Sequence, residues 1–579
     1  AVSGVNEVTL TGINWTDGNG ASRLVVAKAG SAVDSFPVDA TAYTANATFG
    51  SGTQIGTGNY VVHAGSGPLA TLSGLSRDVV YHFRVFEFNG SSATANYNTN
   101  SASGNPASST TMAGTPGSNP TDLTLSAIGT NGFTVAWTKG TTGTNTLIVV
   151  RAGGNPADPS DLNSYTANPI FGSGSNLGSS SYVVYNGTGS SVTVTNLGPG
   201  TSYTVEASSF NGSGGSENYR STPTSATGST LMPEPTTQAS DIAFGSLAAT
   251  SYAVSYAAGN GLSRLVVAKQ GSAVDWTPTD GTAYSGENNA FGSGTELSAG
   301  NFLVHRGASP FTLSGLTAAN DYHIRIFEYQ GTNATLNYNV SAATGNPSNR
   351  YALSTEPTAH GTLSATAASD AEIDLDWGDA TGESGFVIVR QTADSGWTAP
   401  ADGTAYSVGN ALGGGTVAYV GTTAGAGSAT DSSLSANTLY YYRIYPYAYD
   451  GTASHATYNY YAAGTPGNAS ATTGESEPAS SLTLSSFAPA SGSSATIAWT
   501  GSGADGTIIL VKSGSAVDAN PSDWNGYAAD AAFGSGDQIG TGNYVVYAAA
   551  GSTGLVTVTG LSAGTTYHCA LYPYNGAGS

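Results

Sequence analysis

Every second residue is apolar in Tyr81-His82-Phe83-Arg84-Val85 and in Tyr322-His323-Ile324-Arg325-Ile326. That is the period of a strand with one buried face. Elsewhere the apolar residues run without a break, as in Leu24-Val25-Val26-Ala27 and Ile508-Ile509-Leu510-Val511, which predicts central strands. Asn-Gly, Asp-Gly and Gly-Ser-Gly punctuate these runs as turns do, and no stretch combines a helical period with caps. The pattern predicts an all-β protein of short antiparallel strands.

The strands repeat. Tyr43…Phe49-Gly-Ser-Gly52 is answered by Tyr165…Phe171-Gly-Ser-Gly174, Tyr284…Phe291-Gly-Ser-Gly294 and Tyr527…Phe533-Gly-Ser-Gly536, with a worn copy at Tyr406…Leu412-Gly-Gly-Gly415. A second marker, Leu followed six positions later by Tyr, recurs at Leu75/Tyr81, Leu197/Tyr203, Leu316/Tyr322, Leu434/Tyr440 and Leu561/Tyr567. These tyrosines lie 118 to 127 residues apart, a spacing that suits one ordinary domain and is too long for a helical solenoid repeat. Seven or so short strands per unit predict an antiparallel sandwich. Proline-containing joints at Gly114-Thr-Pro-Gly117, Pro233-Glu-Pro235, Glu356-Pro357 and Glu475-Ser-Glu-Pro478 divide the chain into units at 1–113, 114–232, 233–355, 356–475 and 476–579. Proline fixes φ, so these joints are expected to be short and stiff.

Trp15, Trp137, Trp377 and Trp499, with Tyr256 in the third unit, stand near the end of the second strand. With the Leu-x5-Tyr signature, each unit resembles a fibronectin type III domain, across essentially the whole chain. The resemblance implies an Ig-like sandwich and a tyrosine corner whose hydroxyl bonds back to the chain. The units exceed the usual size of that family. The extra residues fall around Tyr…Phe-Gly-Ser-Gly, after the third strand, and resemble repeats of large secreted bacterial surface proteins. Aligned on the third unit, Ala1 falls inside a first strand, and the fifth unit stops before its last. Both terminal units are therefore expected to be incomplete, either as part of a longer array or completed by strand addition from neighbouring chains.

Composition narrows the functions. The 579 residues carry a net charge of −22 although only 9% are charged, and Lys28, Lys139, Lys269 and Lys512 are the only lysines. An acidic chain without basic patches does not neutralise nucleic-acid phosphates and is disfavoured at anionic membrane surfaces. No apolar run approaches the ~20 residues that span a bilayer. The 79 glycines suggest disorder, but 10% aromatic content argues for packed cores. One cysteine, Cys569, allows no intrachain disulfide and argues against structural zinc.

Candidate chemistry is sparse. No nucleophile elbow, zinc-protease helix or phosphate loop occurs, and no cofactor is implied. His82, His323 and His568 follow the corner tyrosines and read as solvated strand residues. Asp39, Asp161, Asp280, Asp402 and Asp523 each precede the recurrent Tyr by four positions. They read either as acceptors shaping a turn or as calcium ligands, with Asp34, Asp275 and Asp518 adding oxygens in three units. Alternation places Phe86, Phe327, Tyr445 and Tyr572 on the outer sheet face, where they either pack under the insertion or form a contact surface for a glycan or protein partner. A Lys–Asn crosslink needs a lysine in every unit, whereas Lys28, Lys269 and Lys512 are answered by Arg151 and Arg390 in units two and four.

These features lead to the expectation of a non-catalytic structural or adhesive array outside a bacterial cell, a filament, stalk or surface appendage, self-associating or contacting surface glycans and proteins. The alternatives are a spacer in a large secreted enzyme and an array of carbohydrate-binding modules.

Overall fold

The computed structural model describes residues 1–576. Among them there is no α-helix; three single-turn 3-10 segments interrupt an otherwise all-β chain. The strands group into five successive pairs of antiparallel sheets.

The third pair shows the plan. Ser240–Gly245, Ser251–Ala257 and Phe311–Ser314 form a three-stranded sheet, with Ser251–Ala257 in the middle. Facing it, the order is Glu296–Ser298, Asn301–His305, Ser263–Gln270, Asp321–Gln330; the last strand pairs in turn with the short Asn337–Tyr338 and with Ser348–Tyr351. Between the sheets lies a core that includes Tyr252, Val254, Val266, Leu313, Tyr322 and Ile324. Among the described residues of the fifth unit the second sheet holds three strands, Asn543–Ala550, Gly506–Ser513 and Tyr567–Tyr574.

The unbroken apolar runs have a direct cause. Leu24 to Ala27 are all at most 1% exposed, because their strand is covered on both faces. Val25 and Ala27 point between the sheets, into the core with Leu10 and Tyr81. Leu24 and Val26 point the other way, into a second core with Val33, Ile55, Val61, Phe86 and Tyr97. Each unit has such a second core beneath its insertion. The unit is therefore three layers: two sheets and a lid. Continuous apolar strands are what burial on both faces demands.

Candidate functional site

The Leu-x5-Tyr tyrosines are true corners. In all five units the tyrosine hydroxyl accepts from the amide five residues upstream: Ser76, Gly198, Thr317, Ser435 and Ser562, at 2.8–3.0 Å. The insertion contains a second corner that the sequence reading did not anticipate. Tyr43, Tyr165, Tyr284, Tyr406 and Tyr527 accept from Val38, Ser160, Thr279, Ala401 and Ser522, again five residues back, at 2.8–3.1 Å.

The Phe-Gly-Ser-Gly segment closes the open side of the sandwich. Its Phe lies edge-on to the corner tyrosine at 4.9–5.4 Å in four units, as Phe49–Tyr81, Phe171–Tyr203, Phe291–Tyr322 and Phe533–Tyr567. The amide of that Phe donates to a carbonyl at the end of a strand of the three-stranded sheet or one residue past it, at Ser73, Thr195, Ser314 or Thr559. Three residues before each Phe, another amide donates to the opposite sheet, at Val61, Val183, Leu303 or Val545. The two glycines serve different needs. Gly50, Gly172, Gly292 and Gly534 have φ between +81° and +92°, and nothing lies within 4 Å of a Cβ placed on them. Gly52, Gly174, Gly294 and Gly536 leave no room, since a Cβ there would overlap the carbonyl oxygen of Val61, Val183, Leu303 or Val545.

In the fourth unit the copy has changed structure. Leu412 and Gly415 pair across a tight hairpin, and Leu412 enters the second core instead of the first. A polar group centred on the buried Asp431 occupies the inter-sheet space. Arg390 Nη1 lies 2.6 Å from Asp431 Oδ1, and the Tyr442 hydroxyl donates to Asp431 Oδ2 at 2.9 Å. Register corrects the expected equivalence of Arg390 with Lys28. Lys28 pairs with His82, the residue after the corner tyrosine, whereas Arg390 pairs with Tyr442, two residues after it. Gln391 stands at the lysine position, and Arg390 faces inward.

The recurrent aspartates make a backbone clamp. Asp39, Asp161, Asp280 and Asp402 each accept, through Oδ1, from the amide of Tyr97, Tyr219, Tyr338 and Tyr460, at 2.7–2.8 Å. The residue after each aspartate, Ala40, Leu162, Gly281 or Gly403, has φ of 61–72°. Its amide donates to the carbonyl two residues before that tyrosine, at Ala95, Glu217, Leu336 or Tyr458. The tyrosine hydroxyl returns to the carbonyl of Thr41, Asn163, Thr282 or Thr404. Asp523 makes no such bond among the described residues, although Trp524 after it keeps the left-handed φ of 65°. Each clamped carboxylate thus holds loop to strand across 58 residues. Among the described residues, no three His, Cys, Asp or Glu side chains converge as a metal site would require.

Asp34, Asp275 and Asp518 have a different partner from the one calcium would need. Each faces a lysine of its own unit, Lys28 at 2.6 Å, Lys269 at 2.7 Å and Lys512, and each accepts from Asn59, Asn301 or Asn543. Hydrogen bonding from the lysine, then from the asparagine, holds these carboxyls below the usual aspartate range. The trio brings amine, amide and acid together, as a crosslink requires. Units two and four have no such trio, because Arg151 and Gln391 stand at the lysine position.

Three of the four outer-face aromatics are interior and cannot form a contact surface. Phe86 and Phe327 are 0% exposed and Tyr445 is 2% exposed, roofed by the insertion. Phe36 meets Phe86 edge-on at 5.8 Å, and Trp276 meets Phe327 at 6.0 Å. Arg84 lies over Phe36 and Arg443 over Trp397. Tyr572 is half-buried, its hydroxyl 2.9 Å from Asn520 Oδ1. Strand alternation alone predicted an outer face; the lid, added from elsewhere in the chain, makes that face interior. A cleft of about 320 Å³ in the fifth unit, between Phe487–Ala495 and Leu561–Tyr567, has Tyr567 as its one ionisable side chain, and that hydroxyl is spent on its corner.

These sandwiches, corners and lids define a tandem array of fibronectin type III-like domains. Residues 118–227 match the profile of the fibronectin type III domain. Among solved structures, the chain is similar to the FN1–FN3 domains of chicken CNTN1, at 13% identity over 62% of this chain and 100% of that one, with a TM-score of 0.22. It is also similar to a two-domain fibronectin type III segment of chicken tenascin, at 16% identity over 38% of this chain and 98% of that one, with a TM-score of 0.19. No curated protein matches the sequence. No helix of the described residues is long and apolar enough to cross a membrane.

Proposed function

We propose that the chain is a non-catalytic structural or adhesive component of an extracellular bacterial filament, stalk or surface appendage, built from five units with boundaries at 113/114, 232/233, 355/356 and 475/476. The observation that carries this reading is where the recurrent polar side chains go. The clamp aspartates of four units and both sets of corner tyrosines are each bonded to backbone within their own unit. A catalytic group must keep an atom free for substrate; these residues hold loops on sheets. Net acidity with low charge density suits a soluble, exposed surface, and tandem sandwiches suit a spacing task.

Negative-stain imaging of the purified material, with intact mass, tests the reading. Regular filaments or extended rods are expected. Flexible beads carrying a head of a different fold would replace it with the enzyme-spacer reading, and polysaccharide binding by the chain would replace it with the carbohydrate-binding one.

A further inference from the structure

Three junctions between units repeat one arrangement. At the first, the Ala113 amide donates to the Ser216 carbonyl at 2.9 Å, and the Ala113 carbonyl accepts from Asn218 Nδ2 at 2.8 Å. At the second, Met232 donates to Thr335 at 2.9 Å and accepts from Asn337 at 2.7 Å. At the third, Ser354 donates to Thr457 at 2.9 Å and accepts from Asn459 at 2.7 Å. In each case a single linker residue, leaving one unit, is held at both its polar backbone atoms by the next.

The holding asparagine precedes the clamped tyrosine. Side chains of neighbouring strand residues point to opposite sides. Tyr219, Tyr338 and Tyr460 therefore turn into the second core of their own unit, while Asn218, Asn337 and Asn459 turn toward the preceding linker. Those three asparagines are each 5% exposed. Asn96, at the same position in the first unit, meets no linker among the described residues and is exposed. The burial thus comes from the neighbouring unit and not from the asparagine's own fold.

We propose that this pair of residues is an inter-unit joint. Asn218, Asn337 and Asn459 capture the linker, and Asp161, Asp280 and Asp402 act as positioning residues by fixing the strand that carries the asparagine. The insertion is the mount of the joint, which gives its aspartate a task beyond its own loop. The joints differ in their reinforcement. The first adds Glu7, which accepts from the amide of Thr115 at 2.8 Å and from Asn218 at 3.1 Å. The third adds His455 stacked on Tyr351 at 3.9 Å, and Arg350 bonded to the Ala456 carbonyl at 3.1 Å. The second rests most heavily on Met232 and Asn337, so it should respond most to their loss. The joint governs bending between units, whatever surface or filament the array serves.

The test is pulsed dipolar distance measurement on the full chain, in a Cys569→Ser background, with spin labels on exposed residues of the two units flanking a joint. In Asn337→Ala the distance distribution across the second joint should broaden at least twofold, with the thermal unfolding of the chain unchanged. Asn218→Ala and Asn459→Ala should broaden theirs less. Asp280→Ala should broaden the second joint alone, and Asn96→Ala should change no distribution. Unchanged width in Asn337→Ala overturns the proposal. So does equal broadening in Asn96→Ala, because the side chain would then be acting inside its own unit. Failure of either kind leaves the imaging test of the shaft reading untouched.

Discussion

Within Phe291-Gly292-Ser293-Gly294, replacing each of the last three residues by alanine should have three different consequences. Gly292 has φ +81° and open space around it, so alanine there meets only backbone strain, about 1–2 kcal/mol for a left-handed residue. Ser293 is exposed, and its loss should stay within about 0.5 kcal/mol. Gly294 is different in kind. A Cβ would sit well inside 3.0 Å of the Leu303 carbonyl oxygen. That oxygen cannot retreat, because Leu303 is paired with Val267 on one side and its amide is bonded to Thr295 on the other. Relief means lifting the segment off the strand, with loss of the Asn288-to-Leu303 hydrogen bond. Overpacking of about 1–3 kcal/mol and a net hydrogen bond of about 1 kcal/mol together give roughly 3 kcal/mol. Hydrogen exchange on the full chain, read at the amides of Thr295 and Leu303, reports this as local opening. About 3 kcal/mol is a loss of protection on the order of a hundredfold. If Gly294→Ala exchanges like Ser293→Ala, the close approach is not what holds glycine there and the reasoning fails.

Other expectations follow from the same contacts. Asp431→Ala leaves Arg390 without its partner inside the fourth unit and should lower that unit's stability by about 2–4 kcal/mol, less than a fully buried pair because Arg390 is part-exposed. The triple change Arg390→Val, Asp431→Val, Tyr442→Phe gives the apolar character other units have there and should melt at or above the parent temperature. Tyr284→Phe removes the insertion's corner bond to Thr279 and should cost about 1 kcal/mol in urea unfolding of the third unit. Hydrogen bonding from the Thr115 hydroxyl, against some opposing desolvation, and the nearby Arg77 hold the Glu7 carboxyl below its ordinary range. A depressed carboxyl stabilises fully above its unfolded pKa, so distances across the first joint should be narrow at neutral pH and broaden as acid titrates Glu7 below that range; a joint equally narrow at pH 7 and pH 3 would contradict this. Added calcium should leave the melting temperature unchanged, since the clamp aspartates already hold backbone amides; a rise would reopen the metal reading.

Local chemistry wrote much of this fold into the sequence. Strand period, turn residues, the Leu-x5-Tyr corner and the spacing of the five copies are properties of neighbours in the chain, so the chain alone determined an all-β tandem array of sandwiches. The glycines of Phe-Gly-Ser-Gly were visible as repeated, and the aspartate as fixed in spacing, because each acts within a few residues of a turn. Their partners were not visible. The Asp280 carboxylate meets the Tyr338 amide, and Asn337 meets a linker residue 105 positions earlier; such pairings exist only when sheets have formed. The clearest example is Phe86. Alternation placed it outside, and it is wholly buried. The hint lay in Leu24-Val25-Val26-Ala27, whose unbroken apolar run requires cover on both faces, but the run cannot say what supplies the cover. Likewise Arg390 looked like the counterpart of Lys28 until strand register shifted it by one residue and turned it inward. Strand period fixes which residues share a face; only tertiary structure decides whether that face meets water, a lid or the next unit.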